Sequence, residues 1–293
     1  MMRIPFELAE TLAAVVDEGT LDAAARRLHI TPSAVSQRIK ALEEQLGRVV
    51  LVRAKPARPT DAGTAVARLA RQLALLEHDA VAELGDAAGI ASIPLAVNAD
   101  SLATWFLPPL ARASRRLGVV FDLYRDDQDY TAGLLESGTV MAAVTSRERA
   151  VAGCRAVPLG TMRYRATASP DFVTHWLPDG ASAAALAVAP VVEFDRNDDL
   201  QTVWLRSQRV REQPPRHFVP ASADFARAVQ LGLGWGLLPD AQASAGLADG
   251  SLVALGGEPV EVPLFWQQWN LRSALLDAVA DEVVAEAHRA LAR

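Results

Sequence analysis

Five polar side chains that can address nucleic acid fall within eight residues: Ser33, Ser36, Gln37, Arg38 and Lys40. Helical spacing puts them outside, opposite an apolar face of Val35, Ile39, Leu42 and Leu46. Hydroxyls, a carboxamide and two cations on one helix are groups that reach base edges and phosphates in a DNA groove. Enzyme chemistry has no comparable constellation. His29, His78, His175, His217 and His288 are scattered, with no i, i+4 pair, and Cys154 is the single cysteine, so a metal site and an internal disulfide lack their ligands. Gly232, Gly234 and Gly236 lack the spacing of a dinucleotide loop and read as the turn into a strand, and neither GxSxG nor a P-loop occurs. With no second cysteine to resolve it, Cys154 reads as an inert thiol.

The elements that must hold the polar face follow from capping and periodicity. Thr20 can accept from the amides of a helix start, and Leu21, Ala24, Ala25 and Leu28 recur on one face. Thr31 is a second N-cap, and Pro32 stands at the first helical position, where its missing N–H costs nothing; Gly47 stops that helix. Two helices joined by a turn of about 3–4 residues make a helix-turn-helix. Phe6, Leu8, Leu12, Val15 and Val16 predict a helix packed behind the pair, ending at Gly19. The β-branched run 48–53 and the turn-rich run 54–59 predict a hairpin wing. Thr60 caps a longer helix in which Val66, Leu69, Leu73, Leu76, Ala80 and Leu84 step by three or four, a coiled-coil seam suited to a second copy of the chain. Gly85 to Ser92 reads as a hinge.

The remaining sequence alternates strand and helix signals. Strands are expected at 93–97, 119–124, 140–144, 155–159, 163–168, 190–194, 216–219, 235–238 and 262–269. Helices are expected at 102–115, 130–136, 198–207, 222–232 and 273–292. The first part is a βαβαβ unit with a parallel sheet, and the whole predicts two α/β lobes with a ligand cleft between them.

Of the 293 residues half are apolar, and the formal net charge is −6. Charge is unevenly spread. Residues 26–58 are +6, residues 1–25 are −4 and residues 59–293 are −8, so a basic surface can meet phosphate while the acidic remainder limits non-specific adhesion. No uncharged apolar run of about 18 residues occurs, and the N-terminus lacks the basic and apolar pattern of a leader; the expectation is a soluble, cytoplasmic protein without membrane contact.

The segments AAARRLHITPSAVSQRIKALEEQLG and LVRAKPARPTDAG, the linker helix and the two lobes resemble the LysR-type transcriptional regulators over essentially the full length. AVNADSLATW at 96–105, VRAKPARPT at 52–60 and AVTSRERAVAGCRAVPLG at 143–160 sharpen the likeness to the ArgP/LysG branch, regulators that respond to lysine and arginine and control basic amino acid exporters. Pro59 departs from the leucine common in LysR wings. The resemblance implies an α/β chain in three parts: a winged helix-turn-helix domain (1–60), a linker helix and hinge (61–92), and a two-lobed effector-binding domain like type 2 periplasmic binding proteins (93–293). Lobe I is expected at about 93–160 and 266–293, lobe II at about 161–265. It implies DNA contacts at Pro32, Ser33, Ser36, Gln37, Arg38 and Arg53; Gln37 can pair bidentately with adenine, and Arg38 and Arg53 suit phosphate. The implied partners are promoter DNA, RNA polymerase and a second copy bound through the linker helix, with a tetramer left open. No cofactor and no catalytic residue are implied. A nucleoid-type or replication-control protein binding DNA without a ligand is the alternative.

For the implied effector, lysine or arginine, Asn98 to Trp105 follows a strand and opens a helix, so free amides and the Ser101 hydroxyl can receive an α-carboxylate, with Thr104 on the same helix. Thr145 and Ser146 line the crevice from the first lobe, and Ser222 and Asp224 open a helix of the second. The ligand cation needs a carboxylate, because an unpaired buried charge is costly. Asp195 is the first candidate, with Asp100 and Asp224 behind it; Trp105 reads as core.

Overall fold

The computed structural model describes residues 3–85, 89–125 and 128–292. Helices α1 (Phe6–Glu18), α2 (Leu21–Arg27) and α3 (Pro32–Leu46) form where the caps predict. Thr20 Oγ1 accepts from Ala23 N at 3.2 Å and Thr31 Oγ1 from Ala34 N at 3.2 Å. Leu12, Val15, Ala24, Ala25, Val35, Ile39 and Leu42 are buried together as the small core. The wing is the antiparallel pair β1 (Leu51–Val52) and β2 (Arg58–Pro59), with Leu51 opposite Pro59. Helix α4 (Asp61–Glu83) leaves it at a tight corner: a Cβ on Gly63 would lie 1.9 Å from the Val50 carbonyl oxygen, so this position requires glycine.

Helix α4 splits its apolar residues three ways. Val66, first in the expected seam, is buried in the small N-terminal core; Leu75, outside the seam, is buried in the larger C-terminal core; Leu69, Leu73 and Leu84 stay exposed. The helix is also docked on the rest of its own chain. Arg71 pairs with Asp17 of α1 at 2.5 Å and donates to the Gly138 carbonyl at 3.1 Å; Arg68 donates to the Glu136 carbonyl at 2.8 Å and lies over the Trp269 ring; Asp79 Oδ1 accepts from Leu275 N at 3.2 Å. Of the expected hinge, residues 86–88 lie outside the described residues.

Next come β3 (Ser92–Val97), α5 (Ala99–Thr104), α6 (Leu107–Leu117), β4 (Val120–Arg125), α7 (Gln128–Glu136), β5 (Ala142–Thr145) and β6 (Cys154–Ala168). They are followed by α8 (Pro170–Trp176), α9 (Ala183–Leu186), β7 (Val191–Glu193), α10 (Leu200–Ser207), β8 (Arg216–Phe218), α11 (Ser222–Gln230), β9 (Gly236–Pro239), α12 (Asp240–Asp249), β10 (Val253–Ala254), β11 (Val260–Trp269) and α13 (Ala274–Ala290). Strand β3 pairs in parallel with β4 and β5, which is the expected βαβαβ unit. The antiparallel pair β6 and β11 continues from that sheet into the second lobe, where β9 and β10 join β6 and the parallel pair β7–β8 packs alongside.

Three expectations change. The single helix at 102–115 is two helices: the Trp105 and Phe106 amides both donate to the Ser101 carbonyl, and Pro108 and Pro109 fit only the opening turn of a new helix. The strands at 155–159 and 163–168 are one, β6, because Gly160 sits at φ +127 and the pairing with β11 carries on past it through a register shift. Helices α8, α9 and α12, unassigned from sequence, are short; Ser169 and Ser182 cap the first two. Trp105 is core, 4% exposed, and burial pushes the Cys154 thiol up to about 11, which keeps it protonated and unreactive near neutral pH.

Candidate DNA-binding face and ligand cavity

On α3, Pro32, Ser33, Gln37 and Lys40 are exposed and Ser36 is half-buried, so positions 33, 36, 37 and 40 form one outward stripe. Ser33 Oγ and Thr31 Oγ1 share a hydrogen bond of 2.9 Å, which ties the first turn of the stripe to its cap. Arg53 is exposed on the wing beside Lys55 and Arg58. Arg38 is placed differently from these. Its guanidinium pairs with the Glu7 carboxylate and reaches Thr11 Oγ1 at 3.4 Å, so it is held against α1.

A cavity of about 480 Å³ opens between the lobes. Asn98 to Asp100 and Ser146 line it from the first lobe, Phe194, Asp195, residues 197–201, Phe225 and Gln242 from the second, and Tyr164 and residues 261–263 from the strands that join them. Asp100, Asp195, Asp198, Asp199 and Glu261 all contribute, and among the described residues no Lys, Arg or His lines it. Glu261 is paired with Arg163 at 3.2 Å, whereas the four aspartates have no ion pair to a base among the described residues. Burial, with the charges of Asp100 and Asp195 adding to it, holds the Asp198 carboxyl above the usual range, against backbone N–H donors from Leu200 and Phe194 that favour the ionised form. Behind the cavity wall, burial likewise raises the Glu193 carboxyl despite the Arg216 guanidinium 3.2 Å away.

Asp100 is tied across the cleft. Its Oδ2 accepts from the Tyr164 hydroxyl at 2.8 Å and its Oδ1 from Ser222 Oγ at 2.6 Å, and Ser222 in turn accepts from Gln242 Nε2 at 2.9 Å. Burial and the Asp100 charge push the Tyr164 phenol up, so it stays a donor. Of the residues expected from sequence, Asp100, Ser146 and Asp195 line the cavity.

The others do not line it, for definite reasons. The Ser101 amide donates to Asn98 Oδ1 at 2.9 Å, which closes the helix start expected to be free, and its hydroxyl is fully buried. Thr104 turns back to the Asp100 carbonyl at 2.6 Å, Thr145 is buried with Oγ1 accepting from Arg147 N at 3.1 Å, and Ser222 stands one layer back as a partner of Asp100. Asp224 is exposed on α11. Sequence reasoning missed Tyr164, Asp198, Gln201 and Gln242. The run Asp195, Asp198, Asp199 after a strand was a usable signal for Asp198; the other three carry none.

Among the described residues, no group of three or more His, Cys, Asp or Glu is arranged to hold a metal ion, and no helix is long and apolar enough to cross a membrane. Two family models match the chain: the bacterial regulatory helix-turn-helix protein of the lysR family over residues 6–64, and the LysR substrate binding domain over residues 93–288. The crystal structure of ArgP from Mycobacterium tuberculosis is 48% identical, with 98% of each chain covered and a TM-score of 0.85. The lysine export transcriptional regulatory protein LysG of Corynebacterium efficiens is 41% identical over 96% of this chain and 97% of its own. Full-length LysG from Corynebacterium glutamicum with bound effector Arg is 38% identical, covering 99% of this chain and 100% of that one, with a TM-score of 0.78. An outward polar stripe on α3, a cleft between two α/β lobes, and matches spanning both halves lead to one assignment: the chain belongs to the LysR family of transcriptional regulators.

Proposed function

We propose that this regulator senses lysine or arginine in the interlobe cavity and, in response, changes transcription of a gene for basic amino acid export. The observation that carries the ligand class is the cavity lining, five carboxylates and, among the described residues, no base. Such a site is costly empty and is completed by a cation. The bound Arg of the C. glutamicum LysG structure and the lysine export role in the name of the C. efficiens relative support the same reading. A built cavity also weighs against a ligand-independent architectural role.

The division into 1–60, 61–92 and 93–293 is the working frame. Pro32, Ser33, Ser36 and Gln37 read the groove; Arg53 meets phosphate, as does Arg38 once it leaves Glu7. In the cavity Ser146 and Asp195 face the ligand and Asp100 lines the wall tied to Tyr164 and Ser222, while Ser101, Thr104, Thr145 and Ser222 shape the walls; Asp224 is a surface residue on the helix of Ser222. The exposed Leu69, Leu73 and Leu84 join two copies, which work in the cytoplasm on promoter DNA with RNA polymerase. Effector domains offer a further surface for pairing dimers.

Calorimetry of the full-length chain with lysine, arginine, neutral amino acids and an aromatic acid tests the ligand class. Both basic amino acids are expected to bind more tightly than any neutral amino acid and than the aromatic acid. Tight binding of the aromatic acid, or equal binding of a neutral amino acid, would overturn it.

A further inference from the structure

The second-lobe wall of the cavity contains an acceptor with nothing to accept. Gln201 is 1% exposed and lines the cavity, and its Oε1 is buried without a hydrogen-bond partner. A buried carbonyl in that state costs free energy comparable with a lost hydrogen bond, so Gln201 is an acceptor that a donor would satisfy. The segment just before Gln201 is wound around two carboxylates. Asp195 Oδ1 accepts from the amides of Asn197 and Asp198 at 2.6 and 3.0 Å; Asp198 accepts from Phe194 N at 3.3 Å and from Leu200 N at 3.1 Å. Their own backbone thus fixes two like charges in one short loop on the cavity wall, before any ligand arrives. Asp100, across the cleft, is already engaged by Tyr164 and Ser222.

We infer that Asp198 and Gln201, beside Asp195, bind the side-chain cation of the ligand and so set specificity, whereas Asp100 is a positioning residue that ties the two lobes. The inference rests on the basic amino acid reading of the cavity. An ammonium or guanidinium brings three or more N–H donors and a positive charge, which is what two carboxylates and an orphaned carbonyl lack. Because Asp100 acts through lobe closure, its loss changes affinity for every ligand; loss of Asp198 or Gln201 changes affinity only for ligands with a cationic side chain.

The test is calorimetry on the full-length chain with lysine and norleucine, which share the α-ammonium and α-carboxylate and differ in the side-chain cation. Asp198→Asn is expected to weaken lysine about 10- to 100-fold and Gln201→Leu about 3- to 10-fold, both leaving norleucine unchanged. Asp100→Asn is expected to weaken both ligands alike. Equal losses for the two ligands in Asp198→Asn or Gln201→Leu, or an unchanged lysine-to-norleucine ratio, would overturn the inference while leaving the parent reading intact. A wild-type chain that binds neither lysine nor arginine would overturn both. Circular dichroism checks each variant for folding; if Asp198→Asn does not fold, Gln201→Leu decides.

Discussion

Each group of polar residues at the DNA face has a separate energetic job. Gln37 and Ser33 stand on the outward stripe of α3, where the proposed reading has them address base edges, and a good base contact is worth about 1–3 kcal/mol of discrimination. Gln37→Ala or Ser33→Ala should therefore weaken binding to a selected duplex more than to a scrambled one, whereas Arg53→Ala, a phosphate contact, should weaken both alike and flatten the salt dependence. Fluorescence anisotropy on the two duplexes at several salt concentrations checks this; equal losses in all three variants would refute it. In the cavity, Asp198 provides a pH signature. Its folded-state carboxyl lies above the ordinary value of 3.8, so its stabilising protonated form is fully present below about that pH and is lost as pH rises through the raised value. Asp198→Asn removes the ionisation. Its melting temperature should exceed that of the unliganded wild type near neutral pH, and the advantage should shrink toward pH 4; a difference independent of pH would be contrary. Asp195 was legible because it ends a strand signal. Tyr164 was not, since only the fold brings it to Asp100, 64 residues away in the chain.

Elements were legible wherever local chemistry decides them. Thr31, Pro32 and Gly47 bound α3 by capping alone, and the structure keeps those limits. The interior of the effector part was harder to divide. Gly160 looked like a strand end, yet its pairing across to β11 overrides the local signal; Trp105 and Phe106 looked helical, yet the prolines behind them force a second start. The seam of α4 was read in the right period but with one face where three are used, because tertiary partners on both sides claim Val66 and Leu75. At the corner between wing and linker, Gly63→Ala pushes a methyl group into the Val50 carbonyl. Overpacking of this kind costs about 1–3 kcal/mol, so a drop of several degrees in melting temperature is expected by scanning calorimetry. An unchanged melting point would mean that the wing shifts freely relative to α4.

Across the whole molecule, α4 is the member that touches both ends. Arg71, its side chain 11% exposed, holds Asp17 of the DNA-binding part and the Gly138 carbonyl of the effector part at once. Arg71→Ala should loosen that junction, seen as faster amide hydrogen exchange at 68–75 and 136–140 with the separate cores still protected. Exchange unchanged at those positions would show that the contact carries no weight. An effector can redistribute such a molecule between arrangements only by binding one of them better. The central claim is that a cationic ligand in the acidic cavity alters how the α3 stripe occupies DNA. Nuclease footprinting of the full-length chain on a duplex selected from random sequence, with and without lysine, tests it most directly. The predicted result is a protection pattern that changes with lysine or arginine and not with norleucine; an identical footprint under all these conditions, at concentrations where calorimetry shows lysine bound, would contradict it.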